Sequence, residues 1–152
     1  RVISDKTGLV VIGSSDENNL IASMNSIKGT VSFVFNKKTG TTSILPVKTI
    51  ASKCTFEKVF STVICGVPSL IPKSSYGMPD DWYQGSVTFS DSLYRISNEG
   101  GEGGVIIDLK KEAGEALDVI KLNTSKSDSL LSFINKKDGS LWLANLDLLS
   151  GD

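Results

Sequence analysis

Apolar and polar residues alternate along most of this chain in short runs, broken by Gly, Asn, Asp and Ser. A period of two marks strands with one face turned inward, and the runs are too short and too rich in β-branched and aromatic residues for helices. The pattern comes round three times. The run 30–36 (Thr-Val-Ser-Phe-Val-Phe-Asn) turns through Lys37-Lys38-Thr39-Gly40 into Thr42-Ser43-Ile44-Leu45. The run 92–97 (Ser-Leu-Tyr-Arg-Ile-Ser) turns through Asn98-Glu99-Gly100-Gly101 into Val105-Ile106-Ile107. A third run, 139–146, begins the same motif. Self-similarity at such a period signals a repeat architecture.

The spacing predicts a first unit of strands 8–14, 19–24, 30–36 and 41–47, and a second of 52–56, 61–67, 92–97 and 104–109. The third has 118–124, 129–135 and 139–146, with its fourth strand missing or reduced to 147–152. The fold class is therefore all-β, with antiparallel four-stranded meanders. Apolar positions such as Val10, Ile12, Leu20, Phe33, Phe35, Val63, Ile96, Ile120, Leu122, Phe133 and Trp142 are expected to pack the sheets together. The charged segment 110–116 reads as a loop or a single helical turn with Gly114 inside it.

Composition narrows the function. A chain of 152 residues with 39% apolar and 22% charged residues fits about one globular domain. Its net charge of −1, with both signs interspersed, makes no footprint for nucleic acid or an anionic membrane. No apolar run is long enough to span a bilayer. The chain opens at Arg1, which fits a processed protein or an excised piece. There is no histidine. That removes His-activated nucleophiles and His-ligated metals, and two cysteines alone cannot close a zinc site. Gly100-Gly101-Glu102-Gly103-Gly104 lacks the Lys-Ser/Thr of a phosphate loop and reads as a hairpin turn. No cofactor and no enzymatic activity are expected.

Two features remain. With a turn at 58–61, Cys54 and Cys65 face each other across a hairpin, within reach of a disulfide and suited to an oxidising compartment. Two buried free thiols are the competing reading. The long insertion 66–90 carries Pro68, Pro72 and Pro79 with Tyr76, Trp82 and Tyr83, and topology sets it beside 110–117. Its partner-facing candidates are Tyr76, Asp80, Asp81, Trp82 and Tyr83, residue types common at interfaces or beside them. Alternatively the loop folds over the sheet end and Trp82 and Tyr83 plug the core. The plug is preferred for Trp82, the interface for the loop as a whole. Asp80, Asp81 and Asp91 are weak candidates for paired carboxylate chemistry or calcium.

Lys37-Lys38-Thr39-Gly40 and Ser97-Asn98-Glu99-Gly100-Gly101 resemble the turn that closes the third strand in WD40-like, TolB-type β-propeller repeats. Ser14-Ser15-Asp16-Glu17 and Ser125-Lys126-Ser127-Asp128 resemble the first turn of that repeat, while Glu57-Lys58-Val59-Phe60 departs from it. The stretch from 80–85 to 135–142 is similar to propeller repeats of bacterial surface proteins. The resemblance implies a partial propeller: blade one over 1–49, blade two over 50–110, and an incomplete blade three over 111–152. Closed propellers have about four to eight blades, so a ring needs further residues or a second copy. The resulting expectation is a non-catalytic binding, scaffold or assembly domain of a secreted, periplasmic or surface protein, contacting a protein partner through the insertion. A subunit of a fibre, pilus or virion, or an accessory domain of a larger hydrolase or peptidase, are the alternatives.

Overall fold

Within each sheet, every strand pairs with the next one along the chain, most of them joined by short polar turns. The computed structural model describes residues 6–26, 29–59, 61–71, 77–99 and 101–149. Three antiparallel sheets result. The first contains β1 (Val10–Gly13), β2 (Asn19–Ser26), β3 (Gly29–Asn36) and β4 (Thr42–Ile44), in that order. The second contains β5 (Cys54–Phe56), β6 (Thr62–Pro68), β7 (Asp91–Ser97) and β8 (Gly103–Ile107). The third has three strands, β9 (Val119–Thr124), β10 (Leu130–Asn135) and β11 (Leu141–Asn145), with β10 central.

The sheets stack face to face. Ile21, Val34 and Leu45 of the first sheet and its following loop pack on Cys54, Phe56, Val63, Cys65 and Ile96 of the second. The other face of the second sheet, with Ile64 and Leu93, packs on Val119, Leu122, Leu131 and Phe133 of the third. This explains why Val63-Ile64-Cys65 is apolar without a break: successive side chains point to opposite faces, and both faces of this sheet are covered. Between the second and third sheets the backbones come close. A methyl group built on Gly66 would lie 2.8 Å from Val119 Cβ. Gly66→Ala should therefore cost about 1–3 kcal/mol in urea unfolding, the usual penalty for overpacking. A change within about 0.5 kcal/mol, ordinary for a surface site, would show that the two sheets are not held at this spacing.

Several boundaries differ from the sequence expectation. The first strand starts at Val10, and the eighth stops at Ile107. Leu109 belongs instead to a short helix, α2 (Leu109–Ala113). Asp108 caps it, its Oδ1 accepting from Lys111 N at 3.1 Å. Gly114, expected inside the turn, terminates the helix with φ +73°. A 3₁₀ turn at Ala51–Lys53 takes the place of the first residues expected in β5. Lys121 has φ +55°, at a bulge where β9 shifts register against β10. Pro72 and Tyr76 lie outside the described residues.

Candidate functional site

The densest polar chemistry sits where three chain segments converge between the sheets. The Ala51–Lys53 turn is tied to the first sheet by Ala51 N, which donates to Ser23 Oγ at 2.9 Å. It sends Lys53, fully buried, into the interior. Lys53 Nζ meets Asp91 Oδ2 and Asp118 Oδ1, each at 2.5 Å. Asp91 opens β7 and Asp118 immediately precedes β9, so one lysine joins the second and third sheets. Trp82 Nε1 donates to both Asp118 oxygens at 2.9 and 3.0 Å, and Phe89 N donates to Oδ2 at 3.0 Å. Val119 N donates to Asp91 Oδ2 at 2.7 Å. Asn135 Oδ1 accepts from Asp118 N at 3.0 Å. The rings of Trp82 and Phe89 lie 4.8 and 5.0 Å from the ammonium nitrogen.

The electrostatics of this cluster are tight. Burial pushes the Asp91 carboxyl above its usual range, and the charge of Lys53 pulls it back only in part. Asp91 Oδ1 is buried with no hydrogen-bond partner among the described residues. Isolated buried charges are expensive, so each member of the cluster depends on the others.

The insertion closes over this cluster. Its helix α1 (Asp80–Tyr83) delivers Trp82, fully buried, into a small core with Ile50, Met78 and Phe89. This is the plug expected of Trp82. Asp80 is exposed and Asp81 half-buried. Tyr83 is 44% exposed, its hydroxyl hydrogen-bonded to that of Ser52. Tyr76 lies outside the described residues. The insertion packs on Asp118, just past the 110–117 segment expected beside it: Trp82 Nε1 and Phe89 N both donate to that carboxylate. Asp91 is engaged by Lys53, and among the described residues no group of three or more Cys, Asp or Glu side chains is placed to hold a metal ion.

Cys54 and Cys65 are directly opposed in the β5–β6 register and form a disulfide. The closed loop is short, so replacing both by alanine should cost about 3 kcal/mol at most. Alkylation of unreduced protein followed by intact-mass measurement checks the bond, and thermal melts with and without reductant check its weight. Two alkylated thiols in unreduced protein would refute the pairing. No helix among the described residues is long and apolar enough to cross a membrane.

The turn 57–60, which departs from the polar turns of the other units, has its own partner. Lys58 N and Val59 N donate to Asp128 Oδ2 at 2.7 and 2.6 Å, and Lys58 Nζ donates to Thr124 O at 2.6 Å. Glu57, Lys58 and Val59 also line a polar cleft of about 170 Å³ against Ser14, Ser15 and Asp16. A second polar cleft, of about 440 Å³, opens between the first sheet and Asn98-Glu99.

Asp91 stood out in the sequence as a carboxylate, whereas Lys53, Asp118 and Asp128 did not. The legible signal was a lone lysine between Ile50-Ala51 and Cys54, a charge set in an otherwise buried run. No protein-family model matches the chain, and no curated protein matches it.

Proposed function

We propose that this chain is a non-catalytic binding and assembly unit, built as part of a propeller-like array in a secreted or surface protein. One observation carries the reading: the outer face of the third sheet presents apolar side chains that no described residue covers. Leu130, Leu141 and Leu143 are 48%, 66% and 70% exposed. They share a face, since Ser132 opposes Leu143 and Ile134 opposes Leu141. The corresponding inner face is buried against the second sheet. Units of this kind complete their core on a neighbour, so a further β-sheet is the natural cover. Val11 and Ile44 are also exposed, at the two ends of a cross-strand row of the first sheet whose middle residues, Ala22 and Phe33, are buried. Of the insertion's described candidates, Asp80 and Tyr83 are exposed and open to a protein partner. The disulfide favours an oxidising compartment.

Light scattering after size exclusion, at several concentrations, tests this. The expected result is association that rises with concentration and is lost in Leu141→Lys/Leu143→Glu. A monomer at all concentrations, with the same elution for that variant, would overturn it.

A further inference from the structure

We propose that Lys53 and Asp118 condense spontaneously into an intramolecular amide, with Asp91 carrying the protons, so that the second and third sheets become covalently joined. Three features of the cluster meet the requirements of the reaction. The nucleophile is in place: Lys53 Nζ is 2.5 Å from Asp118 Oδ1, in direct contact with the carboxyl group whose carbon it would attack. The electrophile is polarised: Trp82 Nε1 and Phe89 N aim at Asp118 Oδ2 at 3.0 Å each, donors suited to hold the oxyanion of a tetrahedral intermediate. A proton carrier touches the amine: Asp91 Oδ2 lies 2.5 Å from Nζ, and its Oδ1 is buried without a hydrogen-bond partner among the described residues. Lys53 and Asp118 are 0% exposed and Asp91 is 1% exposed. Water that would compete in the reverse direction is therefore kept out.

The step balances without an outside reagent. The Lys53 ammonium gives one proton to Asp91. The freed amine attacks Cγ of Asp118, forming the Nζ–Cγ bond. The Cγ–Oδ1 bond breaks, and Oδ1 leaves as water with two protons, the one held by Asp91 and a second from the attacking nitrogen. An ammonium and a carboxylate become an amide and water, with no oxidant or reductant. The product removes one buried cation and one buried anion, whose solvation the interior cannot replace. The new carbonyl keeps the Trp82 and Phe89 donors, and the new N–H faces Asp91. A structural ion cluster is the competing account of the same contacts.

Intact mass of the purified, reduced and denatured chain separates the two. The expected mass is that of the sequence less one water. Proteolysis should yield one species containing both the Lys53 and the Asp118 peptides, with no cleavage after Lys53. Asp91→Asn, which keeps shape and burial, should return the full mass while the disulfide and the circular dichroism of the fold persist. Asp118→Ala should do the same. A wild-type chain of full mass overturns the proposal. So does loss of water without a linked peptide pair, which is the signature of a cyclic imide, or a link that maps to Asp91.

Discussion

Lys53→Met is expected to destabilise the fold by about 3–5 kcal/mol relative to the uncondensed chain of full mass, the range for breaking a buried ion pair by removing one partner. The lysine is fully buried and its ammonium sits between two carboxylates. Methionine fills much of the same volume, so the loss reports charge and not a cavity. With the cation gone, Asp91 and Asp118 face each other in the interior. The Asp91 carboxyl, which burial already drives above its usual range in the native protein, then loses the cation that pulls it back. A raised folded value gives stability that is present at low pH and lost as pH rises through it. The variant should therefore recover as the solution is acidified from neutral. Adding Asp91→Asn should restore part of the loss, because one buried charge disappears with it. Urea unfolding across this pH range, for the single and double variants, measures all three effects. A loss below about 1 kcal/mol, the scale of an exposed pair, would show that the cluster is hydrated.

Trp82→Ala is expected to cost about 3–5 kcal/mol, as for other large aromatic truncations in a core. The indole is 0% exposed, packs with Ile50, Met78 and Phe89, and lies 4.9 Å from the Tyr83 ring. Its Nε1 is also a donor to Asp118. Trp82→Phe separates these parts. It keeps most of the apolar volume and removes the donor, and should cost about 1–3 kcal/mol through the unmet carboxylate. Because this ring is the largest buried side chain of the insertion, proteolysis within 69–90 should speed up in Trp82→Ala before the sheets unfold. Equal rates in the two proteins would show that the insertion is held by other contacts.

Local order was legible because it depends on local chemistry. Alternation of apolar residues, together with Asn, Asp and Gly at the turns, specified nearly every strand and the sequential antiparallel pairing. The Cys54–Cys65 register followed from the length of one turn. After β11 the described residues Asp147–Leu149 form a 3₁₀ turn where a stub strand over 147–152 was one of the two expectations. Errors fell at ends, where one residue decides. Gly114 stops α2 because it adopts the left-handed conformation at little cost, and Leu109 turns inward as the first helical residue.

What tertiary structure decided is which distant residues meet. Lys53 and Asp118 are 65 positions apart, and nothing in either local sequence predicts the other. Their encounter depends on the second and third sheets stacking at the distance Gly66 allows, and on Trp82 folding back from the insertion. Asp128 likewise answers the unusual turn at Lys58-Val59 only because neighbouring sheets bring their turns together. Alternation within a strand says that a side chain points inward. It does not say what stands opposite, because that is set by the stacking of whole sheets and by the closure of long loops.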